Sequence, residues 1–418
     1  MISKEEEKKR LGNNFLSLTF LQGTNHILAL VTIPYLVKVL GIEYFGLLAF
    51  AASIIVFFQI FIDYGFNITA TKEISIHRNN KVKLIEIFSA VMTIKIILLV
   101  ISFFLLTVFV FSFDKFSKNT LVYFISYGTL VGQAILPLWF FQGMERMKYI
   151  TYLSILSKVI FTLSIYVFVQ EQNDFILVPF LTSLGFLVAG IWSLYLVKKD
   201  FGVKFELQRL EILLIYLNEG FYVFISRFYV SIYTNTNILL LGFFTNVIVV
   251  GYYSIAEKIV VAIGMLFEPA NQTLYPYLTK IYYEDFPKFV YLVKKISKIF
   301  LLVAIFLLIL SVYFKYEIVY FITGQYNLQV LQLLNIFFIR ILLFPFGPLY
   351  SNALFIMERK SEFMKVMNYT VLLNFILVPP SIYFYGVDGL VSSFIIVLLV
   401  HVFFLLFYFK KSISYNID

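Results

Sequence analysis

Apolar stretches of about 20 residues or more recur twelve times along this 418-residue chain, separated by short polar connections. A helix of that length crosses the roughly 30 Å hydrocarbon core of a bilayer, since each residue rises about 1.5 Å. The stretches cover approximately residues 13–37, 44–67, 84–111, 119–142, 149–169, 175–197, 213–243, 248–279, 290–314, 329–356, 363–385 and 387–409. With 61% hydrophobic and 14% charged residues, the chain lacks the polar surface that a soluble fold of this size requires. An all-α polytopic membrane protein of about 12 transmembrane helices is expected, and a soluble enzyme is excluded. The first span is too long and too interrupted by polar residues for a cleavable signal peptide, so it is expected to remain as an anchor.

Charge placement gives the orientation. Of 33 Lys and Arg, five lie inside spans, and only Lys38, Lys115, Lys118 and Lys315 fall on the side opposite the N-terminus. The remaining 24 share the N-terminal side. Positive-inside bias then places both termini in the cytoplasm, and it accounts for the net charge of +9 without a nucleic-acid partner. The chain has no Cys, which excludes disulfides, thiol nucleophiles and Cys-based metal sites. The three His residues (His26, His77, His401) are far apart in sequence, so no metal site is expected. There is no GxxxxGK[ST] phosphate loop, and the connections opposite the N-terminus are too short to carry a catalytic domain, so the chain is not expected to be an enzyme.

Two pairs of matching segments point to an internal duplication. Leu40-Gly41 with Tyr44, Gly46 and Ala49 parallels Leu241-Gly242 with Gly251, Tyr252, Tyr253 and Ala256. Pro137-Leu138 with Phe141 and Met144-Glu145-Arg146 parallels Pro348-Leu349 with Phe355 and Met357-Glu358-Arg359. The longest polar connection, Lys198 to Glu211, separates the copies. The expected organisation is an N-terminal lobe over 1–197, a cytoplasmic linker over 198–212 and a C-terminal lobe over 213–418. Parallel six-plus-six repeats are typical of transporters that bind substrate between their halves.

Five cations lie within spans: Lys95, Lys158, Arg227, Lys258 and Arg340. Each costs about 2.5–3.5 kcal/mol at a helix centre unless it faces water or pairs with an anion. Together they are the candidates for a cationic cavity that receives an anionic substrate. The competing reading is a set of buried ion pairs, such as Glu257 with Arg227, and for Lys95 and Lys158 a purely structural role stands beside the functional one. Arg227 shares a helical face with Ser231 and Thr234, and Arg340 shares one with Gly347 and Ser351. Asp63, Glu257, Glu268 and His26 are the groups that could exchange a proton or hold a coupling cation. Asn25 and Gln59 extend the polar lining on the first two spans. Most of the 50 Phe and 30 Tyr are read as lipid-facing or interfacial, with Tyr252 and Tyr253 as candidates for stacking on sugar rings.

Several motifs carry a family resemblance. Pro34-Tyr35-Leu36-Val37 leads through Gly41, Tyr44 and Gly46, and Asp63-Tyr64-Gly65-Phe66-Asn67 continues with Ala70-Thr71-Lys72-Glu73 to Arg78. Leu136-Pro137-Leu138-Trp139-Phe140-Phe141-Gln142-Gly143 follows in the fourth span. Gly251-Tyr252-Tyr253-Ser254-Ile255-Ala256-Glu257-Lys258 then precedes Pro269, Gln272 and Leu274-Tyr275-Pro276. Over essentially its whole length the chain resembles the polysaccharide-transporter family, that is, the O-antigen (Wzx-type) flippases of the multidrug/oligosaccharidyl-lipid/polysaccharide (MOP) exporter superfamily. The resemblance implies a V-shaped bundle of two six-helix lobes around a cationic cavity, working by alternating access in the bacterial inner membrane. It implies an undecaprenyl-diphosphate-linked oligosaccharide as substrate, moved from the cytoplasmic to the periplasmic leaflet amid membrane lipid. Coupling to H+ or Na+ through Glu257 or Asp63 is expected from the carboxylates themselves, with no further cofactor, and a polysaccharide polymerase and chain-length regulator are the expected partners. Three alternatives stay open: a flippase for a capsular, teichoic or peptidoglycan precursor, a drug/cation antiporter, and a polymerase. The antiporter would favour an acidic lumen, and the polymerase would need large periplasmic loops.

Overall fold

The computed structural model of the chain describes residues 4–414, apart from the side chains of residues 4–22, 25–27, 29, 114 and 233. Every regular element among the described residues is a helix, as lipid demands of a chain that must satisfy its backbone hydrogen bonds internally. Two compact units are present, Met1–Ser231 and Ile232–Asp418.

The first unit opens with α1 (Lys4–Asp63), which holds two spans because Gly41 (φ 75°, ψ 172°) turns the chain back on itself. Only glycine adopts that backbone region without a Cβ clash. A second break at Tyr64 and Gly65 (φ 44° and 81°) separates α1 from α2 (Phe66–Ile76), the continuation of the second span. α3 (Lys81–Ser112) starts at Asn80, whose side chain accepts the Lys83 amide. Short α4 (Asp114–Ser117) leads to α5 (Thr120–Ala134), and Pro137 separates α5 from α6 (Leu138–Gly143). α7 (Met147–Phe168) and, after one 3-10 turn, α8 (Leu177–Phe201) complete the six spans. α8 packs closely on α5 and α7. A Cβ on Gly132 would lie 2.6 Å from the Leu187 amide, and one on Gly185 would lie 2.5 Å from the Ser157 carbonyl. Such small-residue contacts replace the hydrophobic drive that lipid removes.

α9 (Leu210–Phe244) forms the seventh span, and the boundary between the units falls within it. It carries Asn218, Glu219, Arg227 and the run Thr234–Asn237. Among the described residues nine stretches are long and apolar enough to cross a membrane, and α9 is not among them. One of the nine, Lys360–Ser414, is turned back at Gly386 and so holds two spans, and another, Leu30–Ile76, joins the end of the first span to the second across Gly41. With α9, the structure accommodates the twelve spans read from the sequence.

In the second unit α10 (Val247–Gly264) is capped by Asn246, whose side chain accepts the Val249 amide. A 3-10 turn links it to α11 (Glu268–Glu284). α12 (Phe286–Tyr313) and α13 (Lys315–Thr323) precede the tenth span. That span, expected as one helix, is α14 (Leu328–Phe337), α15 (Ile339–Leu343) and α16 (Phe346–Ile356) in succession. Pro345, which caps α16, lacks the N–H that would carry the helical ladder on from α15. α17 (Lys360–Ser414) contains the last two spans, turned at Gly386 (φ 62°, ψ −140°). Phe267, Phe289, Phe300, Leu349, Leu354 and Leu405 pack the core that ties α11, α12, α16 and α17 together.

The matching Met-Glu-Arg loops adopt the same backbone. Glu145 and Glu358 both have positive φ (54° and 60°). In the first loop the Arg146 amide donates to the Phe141 carbonyl at 2.8 Å, and in the second Arg359 donates to Leu354 at 2.9 Å. Glu145 pairs with Arg78 at 2.7 Å, while Glu358 accepts from the Tyr283 hydroxyl at 3.4 Å. Each acid therefore braces its loop against the segment that ends the second span of its own half.

Candidate functional site

In the first unit the break at Tyr64–Gly65 sets Asp63 at the end of α1, facing α3. Lys95 Nζ lies 2.9 Å from Asp63 Oδ1, with Lys95 only 2% exposed and Asp63 23%. Gln59, one turn earlier, is half-buried. The second span also meets the first half of α9: Tyr64 stacks on Phe224 at 5.0 Å, and Phe61 and Phe57 meet Phe224 and Phe228 edge-on at 6.2 and 6.4 Å. Gly65 belongs to this seam, since a Cβ there would fall 2.7 Å from the Val223 side chain. Arg227 lies on α9 between these two phenylalanines in sequence and is exposed. Lys158, half-buried on α7, and Arg227 make no ion pair among the described residues. Asn25 and His26 lie outside the residues whose side chains are described.

In the second unit Arg340 on α15 stands 3.6 Å from Glu257 on α10, each about one-sixth exposed. The guanidinium lies 4.8 Å from the Phe344 ring and 5.2 Å from that of Phe394, as cation–π contacts require. The Tyr253 hydroxyl reaches Glu257 Oε1 at 3.5 Å, and Tyr253 is fully buried. Tyr253 therefore serves this network rather than offering a face to a sugar, contrary to the expectation from its place beside Tyr252. Asn374 donates to Asn237 at 3.5 Å, both side chains being buried. Lys258, next to Glu257 in sequence, is exposed and makes no ion pair among the described residues.

Glu268 opens α11 and accepts from Gln272 at 3.2 Å. Together with Asn271, Tyr275, Phe344, Asn352 and Phe355 it lines a cavity of about 610 Å³ within this unit. Glu268 and Gln272 are exposed and Tyr275 is 41% exposed, one to two turns apart on the same face. Such a polar face at membrane depth calls for water beside it.

The five intramembrane cations thus separate by partner. Lys95 and Arg340 already have carboxylates, which relieve the cost of holding an isolated charge out of water. Arg227, Lys258 and Lys158 make no salt bridge among the described residues, although the neighbouring Glu257 still acts on Lys258, so their charge is more open to an anion than that of Lys95 or Arg340. Asp63 and Glu257 are the two candidate coupling groups with a cation in reach, and Glu257 takes Arg340 rather than the Arg227 considered from sequence. Sequence reasoning does not single out Asn237, Asn374, Asn271 or Asn352; Asn374 stands alone in an apolar run, whereas the other three sit beside further polar residues. Among the described residues no group of three or more His, Asp or Glu is placed to hold a metal ion.

Comparison with known proteins places this architecture. An inward-facing multidrug resistance MATE family transporter of the MOP superfamily superimposes with a TM-score of 0.72 at 14% identity, over 93% of this chain and 98% of that one. The lipid II flippase MurJ, in an inward closed conformation, gives 0.71 at 15% identity, over 95% and 87%. These similarities establish the fold as that of MOP-superfamily transporters. In sequence the chain is 35% identical over 288 residues to an Escherichia coli (strain K12) protein named "Putative O-antigen transporter", covering 69% of each chain. A Shigella dysenteriae protein of the same name is 28% identical over 270 residues, 64% of this chain and 67% of that one. Residues 11–282, which include Asp63, Lys95, Arg227, Glu257, Lys258 and Glu268 but not Arg340, match the profile of the family described as Polysaccharide biosynthesis protein, and the chain belongs to that family.

Proposed function

We propose that this protein is a flippase for a lipid-linked oligosaccharide, carrying an undecaprenyl-diphosphate-linked repeat unit from the cytoplasmic to the periplasmic leaflet of the bacterial inner membrane. The observation that carries the reading is the pair Arg227 and Lys258, membrane-embedded cations that make no salt bridge among the described residues. An unpaired cation in a span is retained where a pathway uses it, and a diphosphate is the anion that the resemblance to lipid-linked oligosaccharide flippases implies. Arg340 joins them once Glu257 releases it, and the glycan, not the polyprenyl tail, needs the polar lining. Lys95, Lys158, Gln59, Asn25 and His26 belong to the same proposed lining, divided between an N-terminal lobe over 1–197 and a C-terminal lobe over 213–418, with 198–212 as linker. Both termini face the cytoplasm in this reading.

Coupling to H+ or Na+ is the proposed drive, with Asp63 and Glu257 as the exchanging groups. Protonation of either carboxylate would free its cation, Lys95 or Arg340, so that ion binding and substrate binding alternate. Glu268 and His26 are the further titratable groups of the lining. A polysaccharide polymerase and a chain-length regulator are the proposed downstream partners.

The test follows radiolabelled sugar in a strain lacking this gene. Lipid-linked oligosaccharide held on the cytoplasmic leaflet, and released by the wild-type gene, is the expected result. Arg227→Ala is expected to cut surface polysaccharide roughly 10–100-fold, the value of a lost charge-assisted contact, with Arg227→Lys retaining part of it. Normal delivery by the Ala variant, with the protein correctly inserted, removes Arg227 from the mechanism.

A further inference from the structure

From the cavity at the start of α11 we infer a second, separate subsite: a pocket that holds a sugar ring of the glycan and keeps the diphosphate out. This inference rests on the lipid-linked glycan reading above and assigns a particular part of the substrate to a particular wall of the protein.

The chemistry of the wall selects its occupant. The cavity of about 610 Å³ lies within the range of about 300–1,000 Å³ typical of small-molecule sites. Glu268, when ionised, can only accept hydrogen bonds. Asn271 is 6% exposed; its Nδ2 donates to the Phe267 carbonyl at 3.1 Å, which leaves Oδ1 buried with no donor. A buried acceptor left without a donor costs about 1–3 kcal/mol, so the site gains from a ligand that brings hydroxyl groups. Phosphate oxygens are acceptors carrying negative charge, and the Glu268 carboxylate repels them. The rings of Tyr275 and Phe344 supply flat apolar faces on the same cavity, which suit the C–H face of a pyranose. An acceptor-rich polar edge beside aromatic faces is matched by a sugar. A quaternary organic cation would find the carboxylate and the rings but would leave Asn271 unsatisfied.

The position of the pocket fits entry of the glycan. α11 runs on to Glu284 and α16 to Ile356, so both walls lead into the connections that carry Lys288 and Arg359. In the proposed orientation the cavity is therefore in the cytoplasmic half of its unit. Phe344 forms part of the cavity wall and also lies 4.8 Å from the Arg340 guanidinium. A cation one helical turn from the pocket is a place for the diphosphate that the pocket itself rejects.

Binding to the full-length protein in nanodiscs tests the assignment with two radiolabelled probes. One is lipid-linked oligosaccharide extracted from a strain lacking this gene, and the other is undecaprenyl diphosphate without sugar. Gln272→Ala and Glu268→Gln change exposed side chains and are chosen to preserve folding. Each is expected to weaken binding of the glycosylated probe about fivefold, the value of one hydrogen bond, while the bare diphosphate lipid changes less than about twofold. Equal losses for both probes, or no loss for either, would overturn the sugar subsite while leaving the flippase reading intact. Glu268-dependent binding of tetraphenylphosphonium in competition with the glycosylated probe would reassign the pocket to organic cations. Failure of the wild-type protein to bind the glycosylated lipid at all would instead sink the parent reading, and this inference with it.

Discussion

Removing Lys95 would strand the Asp63 carboxylate, whose Oδ1 it approaches to 2.9 Å while itself almost wholly buried. Losing one partner of a buried pair costs about 3–5 kcal/mol, and the partial exposure of Asp63 points to the lower end. Lys95→Ala should therefore lower the thermal unfolding temperature more than Asp63→Ala/Lys95→Ala does, because the double variant leaves no stranded charge. Unfolding in detergent, followed by intrinsic fluorescence, measures this; additive losses would mean that the two groups do not depend on each other. This pair also marks what a sequence does and does not disclose at the residue scale. Hydrophobicity identified all five cations as out of place, because each interrupts an apolar run. It could not name their partners: Asp63 and Lys95 are 32 positions apart, and Glu257 meets Arg340 two spans further along. Periodicity assigns a side chain to a helix face, whereas packing decides which other helix that face meets.

The breaks that shape the elements are written in glycine and proline. At Gly65 the backbone has φ 81°, and an added Cβ would fall 2.7 Å from Val223 and 3.2 Å from the Phe224 amide. Gly65→Ala combines left-handed strain of about 1–2 kcal/mol with displacement of α9 from the second span. Gly23 offers the control, because it is helical and a Cβ there meets nothing within 4 Å. Gly23→Ala should be neutral or stabilise by up to about 1 kcal/mol, since alanine is the better helix former. Yield and thermal stability of the two variants should diverge in those directions; equal behaviour would show that the Gly65 turn tolerates a side chain. At this scale the sequence was highly legible. The third span was read as 84–111 and is Lys81–Ser112, and the seventh was read as 213–243 and is Leu210–Phe244. The second, fourth, eighth and tenth spans are each broken, the fourth at Pro137 and the tenth at Pro345, where hydropathy runs on while the hydrogen-bond ladder cannot. The two Met-Glu-Arg loops, paired from a few letters, share a left-handed Glu and the same amide-to-carbonyl bond, so the duplication is visible in backbone as well as sequence.

For the whole molecule the distribution of Lys and Arg carries the strongest expectation, since orientation sets the direction in which a substrate would move. Cationic connections resist transfer across the membrane, and here they alternate along the chain with connections that are poor in Lys and Arg. The absence of native Cys makes that alternation directly measurable. Single cysteines at Lys204 and Lys288 would occupy exposed positions on the Lys/Arg-rich side, and at Lys118 and Tyr326 exposed positions on the other. In intact cells lacking an outer permeability barrier, a membrane-impermeant maleimide should label Lys118→Cys and Tyr326→Cys. It should leave Lys204→Cys and Lys288→Cys unmodified until the membrane is opened. All four residues are exposed, so these substitutions disturb no buried contact, and the Lys→Cys changes remove one charge each from a bias of 24 to 4. The inverse labelling pattern would reverse the orientation. It would put the acceptor-lined cavity beside α11 in the periplasmic half, and a sugar bound there would be leaving the protein rather than entering it.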